Sequence, residues 1–208
     1  EGKYFSFIAS DDWAEEHCYI NMIRAFDSTE RNVAVVYGDC KIVDAQKNLL
    51  HQSYLKYYRK DLKVPPQGNI FKDLLKGNFI PAMVTMTRTD ILKRLGGFDE
   101  KLKVEDYDMW LRISREYLFS YVEEASAYYR ILHQSLIRRI GARKYEDWID
   151  MYLKHIDADP EAFALIRQQL QKCCEFLFYT DSEKFLHYYR MIEKFGVKKK
   201  LKVLKLIN

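Results

Sequence analysis

The sequence is poor in the features that mark several protein classes. Its four cysteines, at 18, 40, 173 and 174, lack the spacing of a zinc site. The adjacent Cys173-Cys174 pair falls in a helical pattern and reads as core packing, which fits a reducing cytoplasm. No run of about 18 uncharged apolar residues occurs, so no membrane-spanning helix is expected. The first residues are acidic and polar, with no basic stretch ahead of a hydrophobic one, so no signal peptide is expected. Neither sign of charge dominates: 34 Lys and Arg stand against 30 Asp and Glu, for a net charge of +4. Much of that excess sits in the last residues, and no basic face with aromatic platforms or recognition motif is visible, which argues against a nucleic-acid partner. The 16 tyrosines and 12 phenylalanines fall in core-like patterns. A glycine-rich phosphate loop of the Walker type is missing too, which argues against phosphoryl or nucleotidyl transfer.

What the chain does have is acid in unusual company. Gly96-Gly97-Phe98-Asp99-Glu100 is followed after four residues by Glu105-Asp106-Tyr107-Asp108-Met109-Trp110-Leu111-Arg112. Carboxylates this close repel one another and lose hydration if buried, so a fold keeps them for cations, for proton transfer or as a solvated face. Asp106 and Asp108 alternate with Tyr107, Met109 and Trp110, so some of these acids must lie against apolar neighbours. A second acidic pair, Asp11-Asp12, follows the apolar run Lys3–Ala9, which predicts a buried strand, and precedes a helical pattern that runs through Phe26. α/β folds place ligand chemistry outside the carboxyl ends of strands, and Mg²⁺ or Mn²⁺ takes carboxylate oxygens together with substrate phosphates. The competing reading of each pair is helix capping.

Along the chain, Asn32–Asp39 predicts a β-branched strand, followed by a break at Gly38-Asp39 and a second strand through Asp44. Residues 49–68, with Pro65-Pro66 and Gly68, predict an irregular and functional or mobile connection. A short helix is expected over Asn69–Lys76, a strand over Ala82–Thr87, and a helix over Thr89–Leu95 that Gly96-Gly97 ends. Another helix is expected over Glu105–Glu116, then strands at Phe119–Val122 and Ala125–Tyr129. From about Ser135 the apolar spacing becomes three and four throughout. Trp148, Met151, Tyr152 and Ile156 predict one helix face, Phe163, Ile166, Leu170, Cys173, Cys174 and Leu177 a second, and Phe185, Tyr188, Tyr189 and Ile192 a third. The fold class is therefore α/β over residues 1–135, with a helical appendage over 136–208.

The ordered set Tyr4–Trp13, Val36-Tyr37-Gly38-Asp39, Gly96–Glu100, Glu105–Arg112 and Tyr128-Tyr129-Arg130 resembles family 2 glycosyltransferases of the GT-A fold across roughly residues 2–135. Gly-Gly-Phe-Asp followed at this spacing by Glu-Asp-Tyr-Asp-x-Trp-x-Arg carries most of the likeness. The resemblance implies a partial GT-A domain that transfers a sugar from a nucleotide-sugar donor to an acceptor hydroxyl with inversion, in surface polysaccharide or glycolipid synthesis. It implies Asp12 as principal ligand of a divalent cation, Mn or Mg, with Asp11 on the metal or the ribose, and Asp106 as catalytic base. Glu105 and Asp108 would position sugar hydroxyls or cap their helix, and His133 would lie on a loop near the diphosphate. Ala9 stands where many members carry another Asp, and Ile131-Leu132 adds one residue before His133. The family's nucleoside-binding βαβ units precede the strand at which this chain starts, so the resemblance further implies a C-terminal portion of a longer enzyme, inactive alone.

The alternative reading is a non-catalytic relative acting as an interaction module. The acceptor would be a saccharide or a lipid-linked sugar. Val197, Leu201, Leu204 and Ile207 recur at helical spacing among Lys198, Lys199, Lys202 and Lys205, so 197–208 reads either as a peripheral contact with the inner face of an anionic membrane or as a packed helix end.

Overall fold

The computed structural model describes residues 2–132, 141 and 143–197. The chain divides into two compact units, Glu1–Arg139 and Ile140–Asn208.

The first unit is a mixed sheet flanked by helices. Its strands are β1 (Tyr4–Phe5), β2 (Trp13–Ala14), β3 (Val33–Val43), β4 (Leu49–His51), β5 (Thr85–Arg88) and β6 (Leu118–Arg130), in the order β1-β5-β3-β6-β2, with β4 paired to β3. The helices are α1 (Cys18–Asp27), α2 (Tyr54–Tyr58), α3 (Phe71–Leu75), α4 (Thr89–Arg94) and α5 (Glu105–Ser114), with a 3₁₀ turn at Ala82–Val84. β3 is the axis because its run of Val, Ala and Tyr buries both faces: Ala34, Val35, Val36 and Tyr37 have no exposed surface. On one side Val36 and Cys40 pack with Cys18, Met22 and Phe26 of α1. Tyr37 contacts Phe79 and Tyr121 and donates its hydroxyl to the Pro66 carbonyl.

β3 and β6 run parallel, and their long pairing carries one large irregularity. Tyr37 pairs with Tyr121, but Asp39 pairs with Ser126. The break expected at Gly38-Asp39 and the gap expected between the last two strands are thus one bulge in two continuous strands. Exposed Glu123 and Glu124 loop out there, and Gly38 lies against the other strand: a Cβ on it would stand 2.0 Å from the Ala125 carbonyl oxygen.

Three other expectations change. The run Lys3–Ala9 contributes a two-residue, half-buried edge strand, antiparallel to β5, in place of a buried strand. The helix after Trp13 starts only at Cys18, since Trp13-Ala14 is taken into the sheet by β6. Residues 49–68, expected to be irregular, hold β4 and α2. The helices over α3, α4 and α5 fall where the spacing predicts them. Gly96 and Gly97 both adopt left-handed φ, 83° and 73°, the reason glycine ends α4.

The second unit is helical: α6 (Arg143–Leu153), α7 (Pro160–Thr180) and α8 (Ser182–Ile192). Asp159 accepts the backbone N–H of Glu161 and Ala162 ahead of a first-turn proline, and Asp181 accepts that of Lys184. Ile149, Met151, Tyr152, Ile166, Leu170, Cys173, Cys174, Leu177, Phe185, Tyr188 and Ile192 form its interior. Trp148 is only half-buried, and Ile156 lies past the end of α6. Cys173 and Cys174 are buried free thiols, as core packing requires. No helix among the described residues is long and apolar enough to cross a membrane. Val197 is buried, and 198–208, with the rest of the amphipathic tail, lie outside the described residues.

Candidate functional site

Of the acids singled out by sequence, Asp12 lies where β3 and β6 end. Asp12 enters the sheet's edge just before β2, and β2 pairs antiparallel with Ala127 and Tyr128 of β6. That register brings the Arg130 backbone N–H to Asp12 Oδ1 at 2.8 Å, across 118 residues of sequence. Trp13 stacks on Tyr128 at 4.8 Å, and the Arg130 guanidinium lies 5.0 Å from the centre of the Trp13 ring. Neither Asp11 nor Asp12 caps α1, whose N-cap residue is His17, in a left-handed conformation with no side-chain hydrogen bond. Nearby, Lys41 reaches Glu15 at 2.6 Å and holds its carboxyl below the ordinary value.

Burial pushes the Asp12 carboxyl up to about 6; the Arg130 N–H opposes the shift, and the negative charge of Asp11 adds to it. No donor among the described residues reaches its second oxygen. Asp106, half-buried in the first turn of α5, is also pushed up to about 6. Burial is again the main cause; the Tyr107 N–H, 2.7 Å from Oδ1, opposes it, and the charge of Glu105 adds to it. Neither carboxylate is ion-paired to a lysine or arginine side chain within 4.0 Å among the described residues.

Two other aspartates have the opposite surroundings. Asp108 has no exposed surface. It binds Arg112 at 2.8 Å, and that guanidinium donates to the carbonyls of Leu95 and Gly97, each at 2.7 Å. Asp108 therefore braces α5 against the end of α4. Asp39 accepts from the backbone N–H groups of Cys40, Tyr54 and Leu55 and from the Ser53 hydroxyl, fixing the start of α2. Trp110 is 1% exposed and packs the core. Glu105 is half-buried beside Asp106. His133 lies outside the described residues.

Sequence reasoning overlooked the tyrosines that join the two acidic sites. Tyr54 contacts Tyr129 at 5.6 Å and Tyr58 at 4.4 Å between ring centres. Burial, then the neighbouring Tyr58 and the charge of Asp106, holds the Tyr54 phenol well above its ordinary value, and burial, Tyr58 and then the charges of Asp12 and Asp11 raise that of Tyr129. The available signal was the helical spacing of Tyr54, Tyr57 and Tyr58 inside a segment read as irregular. Among the described residues no three His, Cys, Asp or Glu side chains converge to hold a metal by protein atoms alone.

A mixed α/β sheet with a helical C-terminal region is an architecture shared with glycosyltransferases. The chain is 30% identical over 147 residues to an uncharacterized glycosyltransferase from Methanocaldococcus jannaschii, an alignment covering 69% of this chain and 47% of that protein. The chain thus spans about half the length of that relative. Its fold is similar to that of S. aureus TarS, with a TM-score of 0.50 and 19% identity over 86% of this chain and 29% of the other. It is also similar to the mannosyltransferase PcManGT from Pyrobaculum calidifontis in complex with GDP-Man and Mn²⁺, with a TM-score of 0.51 and 13% identity over 96% and 57% of the two chains. No protein-family model matches the chain.

Proposed function

We propose that this chain carries the cation-binding and acceptor-activating side of an inverting, family 2 glycosyltransferase of the GT-A fold, with the nucleoside held by residues outside these 208. The observation that carries the reading is the pair Asp12 and Asp106. Both are half-buried and pushed up to about 6, and their charges act on two tyrosines, Tyr129 and Tyr54, whose ring centres lie 5.6 Å apart. The fold likeness to known glycosyltransferases and the sequence similarity to one support it.

In this reading the acceptor oxygen forms the new bond to the anomeric carbon as the bond from that carbon to the diphosphate breaks. The diphosphate leaves with the electron pair. Asp106, ionised above about pH 6, takes the acceptor's proton on the face opposite the leaving group, which inverts the centre. Glu105 adds negative charge beside it, and Asp108 keeps α5 in position. Asp12 has a carboxylate oxygen that no donor among the described residues reaches, and Asp11 stands beside it, a hard-oxygen pair that fits Mg²⁺ or Mn²⁺, which usually binds one or two carboxylates with phosphate and water completing its shell. Such a cation would offset the charge developing on the leaving diphosphate. Surface polysaccharide or glycolipid synthesis supplies the acceptor class. The alternative, a non-catalytic interaction module, draws on the chain's covering about half of its relative.

The test is Mn²⁺-dependent binding of GDP and UDP to the full-length protein, followed by Mn²⁺ relaxation enhancement. Asp12→Asn is expected to abolish the cation-dependent part, while Asp106→Asn keeps it and stops transfer. Unchanged cation-dependent binding by Asp12→Asn rejects the assignment.

A further inference from the structure

α2 is anchored more firmly than a connecting segment needs. Its start is held by four hydrogen bonds converging on Asp39 and Ser53: to Asp39 from Ser53, Tyr54 and Leu55, and to Ser53 Oγ from the Lys56 N–H. Beyond its end the buried Arg59 guanidinium grips Asp61 through two bonds of 2.8 and 2.7 Å and donates to the carbonyls of Asp73 and Gly77. Between these anchors the helix turns two large rings outward: Tyr57 is 39% exposed and Tyr58 46%. Their ring centres lie 4.9 Å apart at 88°, and His51 of β4 lies 4.3 Å from Tyr57. Fixed backbone removes most of the ordering entropy that a ligand would otherwise face. Tyr58 also meets Tyr54 in a tilted contact with ring centres 4.4 Å apart, and Tyr54 feels the charge of Asp106. The outward rings thus lie on the Tyr54 side of the site, where the charge of Asp106 is felt.

An uncharged, rigid pair of phenol rings meeting at a right angle suits a pyranose. The C–H face of the sugar lies on one ring, and the phenol hydroxyls meet its hydroxyls at the edge, an apolar body with a few polar handles. We propose that Tyr57, Tyr58 and His51 form the acceptor wall of the site and bind the pyranose ring of a saccharide acceptor, with one hydroxyl directed toward Asp106. This rests on the glycosyl-transfer reading for its function, though the binding itself does not.

The test is proton saturation-transfer NMR of the full-length protein with methyl β-D-glucopyranoside, methyl α-D-mannopyranoside, methyl N-acetyl-β-D-glucosaminide and octyl β-D-glucopyranoside below its micelle concentration. Saturation is expected on the sugar-ring protons. It should fall about fivefold in Tyr57→Ala/Tyr58→Ala, the loss of a stacking contact of about 1 kcal/mol, and survive in Tyr57→Phe/Tyr58→Phe. Thermal melting of the alanine variant checks that it stays folded, since the rings also touch Tyr54 and His51. No saturation from any of the four glycosides, undiminished saturation in the alanine variant, or saturation confined to the octyl chain overturns the proposal. Mn²⁺-dependent GDP binding is read on the same samples: its absence from the wild type, with sugar saturation intact, defeats the glycosyl-transfer reading and leaves the saccharide wall standing.

Discussion

Asp106 and Asp108 lie two residues apart on α5, yet one is half-buried at the rim of the candidate site and the other belongs to the frame that holds the helix. In the frame, Asp108 and Asp39 have their donors supplied: a guanidinium for one, three backbone N–H groups and a hydroxyl for the other. At the rim, Asp12 and Asp106 are also desolvated, but each has a single protein N–H from another residue on its carboxylate and no lysine or arginine side chain paired to it among the described residues. Satisfied carboxylates hold structure together, whereas under-satisfied ones cost stability and keep lone pairs available for a cation or a proton. Rim and frame thus differ, within one residue type, in how fully the carboxylates are supplied with donors.

The largest expected effect breaks the rim. Asp106→Asn in the full-length protein should lose turnover on the order of 10²–10⁴-fold, the usual consequence of removing a general base, while binding donor normally. Its stability should move the other way. The folded Asp106 carboxyl titrates near 6 and the unfolded one near about 4. Between those values the folded chain binds more protons, so its contribution to stability is full below about 4 and lost as pH rises through 6. Turnover, which needs the ionised base, should rise over the same window. Urea titrations from pH 4 to 8 should find the variant's pH dependence flattened by roughly 1–3 kcal/mol, allowing for the residue's partial exposure. A variant with wild-type turnover, or with unaltered pH dependence, would remove Asp106 from the rim.

Breaking the frame should act on folding first. Asp108→Ala strands the Arg112 guanidinium among carbonyls and should cost about 3–5 kcal/mol by urea denaturation. Any loss of turnover should follow the loss of folded protein. If Asp108→Ala is as stable as wild type yet inactive, the division of roles on α5 is wrong. A smaller effect is expected at Gly38→Ala, where the new methyl meets the Ala125 carbonyl and Val84 inside the bulge. Overpacking of this kind costs about 1–3 kcal/mol, and here the obstacle is backbone, which yields little. Thermal melting measures it, and an unshifted midpoint would mean that the bulge does not need glycine.

Much of this was legible in advance where the determinants are local. The helices α3, α4 and α5, the three helices of the second unit and the glycine stop after α4 all follow from apolar spacing and from φ values that only glycine adopts readily. The pairing of Asp108 with Arg112 was also within reach, since residues four apart share a helix face. Other features depended on remote partners. The Gly38-Asp39 break is a bulge only because Ala125 lies across from it. Lys3–Ala9 reads as a buried strand by composition, but pairs for only two residues, at the sheet edge. The tyrosines, read as core, include Tyr57 and Tyr58, which α2 turns outward.

By itself the sequence determined the α/β-then-helical order, the places of α3 to α8 and the identity of the acidic clusters, because periodicity, capping and glycine conformations act within a few residues. Only the tertiary structure decided which acids are held by donors and which are left wanting them. Desolvation and hydrogen bonding come from whatever packs alongside: Arg130 reaches Asp12 across 118 residues, and α2 brings Tyr54 within the field of Asp106. Neither proximity has a counterpart in the local pattern of the chain.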